Sequence, residues 1–210
     1  ADIWGIPVEI RLGSVDLKQP SFDIGISSSV EFAVLQALLK DKFRLQIPAD
    51  IRGSANLSLG IKGAYPSRVM PSINGALDVM GAEADLEKIS APLQDISGHL
   101  EFDLTQLKWS EFGFKYLDVP YKTSGQLTDF RSPRAVFELS SPDLTLESSL
   151  TVNRSLVKLS KLEGSYLNSQ FALKGSIDTA DASNLNVDVS GSLNMDLRDA
   201  VRFKPQLEKY

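Results

Sequence analysis

The chain has 210 residues, 42% hydrophobic and 23% charged, and this composition excludes an intrinsically disordered chain and a protein embedded in a membrane. Its 27 acidic and 22 basic residues leave a formal net charge of −5, and no run of Lys or Arg occurs, which argues against a nucleic-acid-binding surface. The chain has no cysteine, so disulfides and cysteine-based sites are excluded. No stretch of about 18 apolar residues occurs that would cross a bilayer as a helix.

Alternation of apolar and polar residues is the dominant pattern, beginning with residues 6–12 and 22–26. A period of two places successive side chains on opposite faces of a strand. The sequence therefore predicts an all-β protein, a curled antiparallel β-sheet with an apolar concave face and one or two short helices. We expect the following residues to line this apolar groove: Leu57, Leu59, Leu100, Phe102, Leu104, Phe137, Leu139, Leu144, Leu146, Leu150, Val152, Phe171, Leu173, Val187, Val189, Leu193, Met195 and Leu197.

One segment has helical spacing instead. Apolar residues recur at intervals of three or four over residues 30–43, which predicts a helix of about three turns. Ser27–Ser29 would supply its N-cap, and Pro48 would follow its end. Residues 197–203 form a second, shorter helix candidate.

A glycine followed by alternating apolar residues recurs along the chain. The pattern begins at Gly53, Gly75, Gly98 and Gly191, and a partial copy begins at Gly175. The first two intervals, of about 22 residues, suit one hairpin per repeat. Because glycine tolerates a bend or bulge, these positions predict a sheet that curls.

No catalytic or metal-binding constellation is evident. His99 is the only histidine, and without cysteine partners it is a surface or rim residue rather than a metal ligand. Acidic residues such as Glu101 and Asp103 occupy the polar side of their strand, where solvation is expected. We therefore predict a protein that is not an enzyme and has no metal or cofactor.

Aromatic residues are densest at residues 109–116. Phe112, Phe114 and Tyr116 have the same strand parity, and Trp109 lies nearby. A sugar-stacking platform is one interpretation of such a cluster. Core packing or groove lining is the interpretation that the shared parity favours.

Two segments of the C-terminal half resemble a known family. They are residues 164–178, which read GSYLNSQFALKGSID, and residues 185–197, which read LNVDVSGSLNMDL. They are similar to the AsmA-like family, which includes the TamB- and YhdP-type bridge-like lipid transfer proteins. The resemblance covers residues 89–207 and, less clearly, 53–81.

The resemblance implies a periplasmic protein that shields phospholipid acyl chains in a hydrophobic β-groove during transport between the inner and outer membranes. It also implies an anchor in the inner membrane, through a segment missing from this sequence, and possible envelope protein partners. We expect residues 1–210 to form a single domain excised from a longer protein.

Other functions remain open at this point. The apolar rows of a β-sandwich or solenoid would meet each other as a core, and such a module would serve contacts with proteins or envelope polysaccharide. Transport of lipopolysaccharide-type lipids by a similar sheet is a third hypothesis.

Overall fold

A computed structural model describes residues 2–3, 6–13, 21–43, 49–64, 70–86, 89–180 and 186–199. The predicted fold class is confirmed: the protein is all-β, its main sheet is antiparallel, and its helices are short. The elements in chain order are β1 Asp2–Ile3, β2 Ile6–Pro7, β3 Glu9–Leu12, β4 Ser21–Glu31, α1 Phe32–Phe43, β5 Ala49–Ala64, β6 Ser72–Leu86, β7 Leu93–Asp103, β8 Gln106–Tyr116, β9 Val119–Thr128, β10 Arg134–Ser140, β11 Leu144–Asn153, β12 Leu156–Tyr166, β13 Ser169–Asp178 and β14 Asn186–Asn194.

The chain divides into two compact units, residues 1–120 and residues 121–210. In the first unit, strands β3 to β8 pair in chain order, and β1 pairs with β2 in a small separate sheet. In the second unit, strands β9 to β14 also pair in chain order. Each pairing within these units is antiparallel, as expected where neighbours in sequence are neighbours in space.

The structure corrects the predicted start of the helix. Helix α1 begins at Phe32, whereas Ser27–Ser29, predicted as its N-cap, and Val30 lie in strand β4. The apolar side chain of Val30 suits both periods, and in the folded chain it pairs with Ala55 of β5. At the C-terminus, residues 197–199 are helical, and the rest of the predicted helix 197–203 lies outside the described residues.

Cross-strand pairing assigns each side chain to one face of the sheet. In the first unit, Leu57 pairs with Leu77, and Leu77 pairs with Leu100. We call the face that carries these leucines the apolar face of the first unit. The opposite face, the polar face, carries pairs such as Asp78 with His99.

Several glycines of the apolar face lie beneath a large side chain of the neighbouring strand. A Cβ atom at Gly75 would collide with the ring of Phe102, and one at Gly63 would lie 2.5 Å from Cζ of Phe22. Gly75 keeps a regular register with both neighbouring strands, so it is not a bulge, contrary to the bend that the glycine repeat predicts. Gly53 does fit that prediction, because it lies in a bulge and has a φ of +108°.

A bulge in β8 explains how the aromatic cluster reaches one face. Trp109 pairs with Leu100 and so lies on the apolar face, while the backbone of Glu111 has a φ of +51° at an irregularity of the ladder. The extra residue reverses the parity of the strand. Phe112 and Phe114 therefore also lie on the apolar face, where they pack against the core.

The buried core is small and lies in the first unit. Ala55, Val79, Ala82, Ala84 and Ile96 form it. Helix α1 contacts β5 at this end of the sheet, and its Phe32 packs against the core. The side chain of Gln36 anchors the helix, because its amide donates to the Ala49 carbonyl at 2.6 Å and its Oε1 accepts from the Ile51 amide at 3.3 Å.

Substitution of Gly75 by alanine tests whether the ring of Phe102 needs the bare backbone below it. We expect Gly75→Ala to lower the free energy of unfolding by about 1–3 kcal/mol, because the added methyl group overpacks the site. Gly25→Ala is the matched control, since a Cβ there meets nothing closer than 3.8 Å. It should be neutral or stabilising by up to about 1 kcal/mol. Urea denaturation measures both, and equal effects would contradict the interpretation.

Candidate functional site: an apolar sheet face

The second unit carries a continuous apolar face built from cross-strand rows. Each row takes one residue from successive strands between β9 and β14, and direct partners across an antiparallel ladder lie on the same face. The rows are Thr123–Leu139–Leu146–Gly164–Phe171–Leu193, Gly125–Phe137–Ser148–Leu162–Leu173–Gly191 and Leu127–Ala135–Leu150–Leu159–Gly175–Val189.

Among the described residues of the unit, no second sheet covers this face. The described strands of residues 121–199 all belong to one sheet, and no hydrophobic side chain among the described residues of this range is buried. The buried side chains there are those of Ser148, Ser169 and Asp199. The apolar rows are half-buried by their own neighbours, and along β14 they are exposed.

In this unit too, large side chains pack against glycine residues of the neighbouring strand. A Cβ at Gly164 would lie 2.8 Å from Cζ of Phe171, and one at Gly191 would lie 2.7 Å from Cδ2 of Leu173. Each large side chain thus covers a bare backbone position on the neighbouring strand. This arrangement lowers the exposed apolar area without adding a second layer.

Most of the predicted groove residues lie on an apolar face. In the second unit, Phe137, Leu139, Leu146, Leu150, Phe171, Leu173, Val189 and Leu193 fall in the three rows, while Leu144, Val152 and Val187 belong to rows at the two ends of the same face. In the first unit, Leu57, Leu59, Leu100 and Phe102 lie on the apolar face of that unit.

Three predicted residues lie outside the strands. Leu104 lies in the turn between β7 and β8, where its side chain is exposed. Met195 and Leu197 follow the last residue of β14 and are also exposed. The alternation of their sequence continues past the point where the strand ends, so periodicity alone does not mark the boundary.

Sequence reasoning missed part of the face. Leu159 and Leu162 both lie on it, although their spacing of three breaks the period of two. A bulge at Ser160 and Lys161 restores the alternation, because the ladder shifts there in both pairings of β12. The sequence carries one sign of this bulge: within residues 157–162 the apolar residues move from odd-numbered to even-numbered positions.

The polar faces carry charged side chains that are exposed to solvent. Cross-strand ion pairs lie on them, including Lys62 with Asp23 at 3.0 Å and Lys115 with Asp95 at 2.7 Å. Such exposed pairs contribute little to stability. Three open depressions of about 330, 600 and 470 Å³ border the polar faces, and polar side chains are prominent in their lining.

His99 is part of a polar cross-strand cluster. Its Nδ1 lies 2.6 Å from Oδ1 of Asp78, and its Nε2 lies 3.5 Å from Oε1 of Glu101. The hydrogen bond with Asp78 is the largest influence and raises the pKa of His99. Burial is the next largest and lowers it, while the charge of Asp78 and the hydrogen bond and charge of Glu101 raise it further. In the described ranges, His, Asp and Glu side chains form no group of three that would hold a metal ion.

Asp199 fastens the segment after β14 to the turn between β12 and β13. Its Oδ2 accepts from the Asn168 amide at 2.9 Å and from the Ser169 hydroxyl at 2.8 Å. The Ser169 hydroxyl in turn accepts from the Asp196 amide at 3.0 Å. These bonds satisfy a buried carboxylate and direct residues 196–199 back across the end of the sheet.

Comparison with known proteins adds no relative. No protein-family model, no curated protein and no solved structure matches this chain. No helix in the part of the chain that the structure describes is long and apolar enough to cross a bilayer. The face described above is therefore the observation from which a function must be argued.

The pH dependence of stability tests the His99 cluster. Because the folded-state pKa of His99 is raised, its stabilising contribution is fully present below the unfolded value, about 6.5, and is lost as pH rises through the folded pKa. We expect His99→Gln to reduce the free energy of unfolding more at pH 5.5 than at pH 8.5, measured in urea. Equal losses at the two pH values would rule out the charged cluster, since the chain has no other histidine.

Proposed function

We propose that this chain binds lipids by laying their hydrocarbon chains on the uncovered apolar face of its sheet. The observation that carries the proposal is the face of residues 121–180 and 186–194, whose rows cross six strands and which lies under no second sheet among the described residues of its own unit. A sheet with one apolar face needs a covering layer. Acyl chains supply that layer where the protein does not.

The dimensions of the face suit an acyl chain. Neighbouring strands lie about 4.8 Å apart, so six strands give a face about 24 Å wide. The hydrocarbon core of a bilayer is about 30 Å thick and holds two layers of chains, so one chain reaches about 15 Å. A chain therefore fits within the width of the face in several positions.

The expected affinity favours lipids with two chains. Moving one CH₂ group from water to an apolar surrounding is worth about 0.8 kcal/mol, and an open face covers roughly half of each group. A chain of about 15 CH₂ groups then gains ~6 kcal/mol, and two chains gain about twice as much, before the cost of lost freedom is subtracted. Phospholipids should bind, and single-chain fatty acids should bind weakly.

The contacts of such a face are non-directional, which suits transfer. Leu, Val and Phe side chains offer no hydrogen bond that would fix a lipid in one register. A bound chain can shift along the rows at little cost, while its headgroup remains in water. The proposed role needs no chemical step, no metal and no cofactor.

The AsmA-like resemblance gives this role a cellular setting. Under that hypothesis the protein lies in the periplasm, is anchored to the inner membrane, and contributes to phospholipid transport to the outer membrane and so to its biogenesis. Envelope proteins are then possible partners.

One observation favours the alternative of a structural module. In the first unit, helix α1 packs over β5, and buried apolar side chains meet there as a core. If comparable cover reached the rows of the second unit, these rows would serve stability alone. The experiment below separates the two functions.

A charge on the apolar face should abolish lipid binding. We expect Leu139→Glu to weaken binding of a fluorescent phospholipid roughly tenfold or more, since a loss of about 1.4 kcal/mol already gives tenfold. Val136→Glu is the matched control, because Val136 lies on the same strand but on the polar face, and its side chain is 40% exposed. Native mass spectrometry of the purified parent protein should also reveal bound phospholipid.

The fold of each variant must be checked by its melting temperature. Leu193→Glu is a second variant for the same test, because Leu193 belongs to the apolar rows but is already 60% exposed. Loss of lipid binding with an intact fold supports the proposal. Two results together would establish the structural alternative: Leu139→Glu unfolds, and the parent protein carries no bound lipid and does not bind the fluorescent phospholipid.

A further inference from the structure

The edge strand β14 is open along its whole length. All nine of its residues are exposed, and it is the last strand of its sheet, so no described strand pairs with its outer side. An unpaired edge presents a row of backbone donors and acceptors to any strand that approaches. This property belongs to the backbone and does not depend on the proposed lipid function.

The strand lacks the features that usually block an edge. Proteins protect such strands with lysine, proline or a bulge. Strand β14 has none of these, and Asp188 is its one charged residue. Its ladder with β13 is regular from Asn186 to Asn194.

Residues 195–199, which follow β14, turn away from the open edge. A hairpin partner for β14 would begin directly after its last residue. Residues 196–199 are instead held on the turn between β12 and β13 by the bonds of Asp199 to Asn168 and Ser169. Since β13 pairs with the inner side of β14, this turn lies on the side opposite the open edge.

The sequence of β14 is complementary to itself when it is reversed. It reads NVDVSGSLN, so an antiparallel copy centred on Ser190 pairs Asn186 with Asn194, Val187 with Leu193, and Asp188 with Ser192. Apolar residues then meet apolar residues on one face, and polar residues meet polar residues on the other. The two Asp188 carboxylates do not face each other in this register.

We propose that the occupant of this edge is a second copy of the same chain, paired β14 to antiparallel β14 about a twofold axis at Ser190. Such an isologous contact joins two sheets by main-chain hydrogen bonds and continues both faces across the junction. The other edge strand, β3, is a poorer partner, because it has only four residues and carries both Glu9 and Arg11.

Opposite charges at one position test this register. Ser192 is exposed, and within its own sheet it pairs with Ala172, so either charge is tolerated there. In the dimer it faces Asp188 of the second copy. We expect Ser192→Lys to tighten dimerisation and Ser192→Glu to weaken it, each roughly two- to tenfold in dissociation constant, measured by sedimentation velocity over a range of concentrations.

A control at an interior strand separates the register from a general charge effect. Ser160 is exposed in β12, and Ser160→Lys and Ser160→Glu change the net charge equally without touching β14. These variants should leave the dissociation constant as in the parent. A parent that stays monomeric at every concentration, or a dimer that both Ser192 variants shift in the same direction, would overturn the proposal.

Crosslinking tests the position of the axis. The chain has no cysteine, so Ser190→Cys introduces a single thiol, and two such thiols face each other across the axis at a separation that a disulfide can bridge. Mild oxidation should crosslink this variant. Asn186→Cys is the control, because its two copies would lie about 26 Å apart at 3.3 Å per residue. Crosslinking of Asn186→Cys as readily as Ser190→Cys would refute the register.

Discussion

An antiparallel sheet with one apolar face has to be covered, and the whole structure depends on how this protein meets that requirement. Other folds add a second sheet or a layer of helices. Here a single helix, α1, covers one end of the first unit, and the buried core is confined to that end. In the second unit the described residues supply no such layer, and side chains seated on glycines reduce the exposed area instead.

Because one face is left uncovered, the two faces of the sheet differ in what they can bind. The polar faces carry ion pairs, as expected of a surface that faces water. The apolar face of the second unit offers hydrocarbon contacts in rows that run from strand to strand. An unselective surface of this kind suits ligands that share only a hydrocarbon chain.

Periodicity predicts most of the fold, because a period of two and a cross-strand ladder follow from the same geometry. Phe137, Leu146 and Leu173 were assigned to one face in this way, and the ladder places them there. Bulges are where alternation gives the wrong face. At Glu111 and at residues 160–161 an extra residue reverses which face the following side chains occupy, and this brings the aromatic cluster and Leu162 onto the apolar face. Alternation also does not predict whether another part of the chain covers a face, because this depends on contacts between residues distant in sequence. The start of α1 is hidden for the same reason, since the residues before it pair with β5.

Pairing in strict chain order has a consequence for how the protein folds. Within each unit a strand contacts mainly the strands that precede and follow it, although most contacts join residues at least 12 positions apart in sequence. In such linear arrays stability is close to a sum of nearest-neighbour terms. A hairpin at the end of a unit can then open while the interior strands stay paired. We therefore expect each unit to unfold progressively from its terminal strands inward, and to refold by the same sequence of steps in reverse.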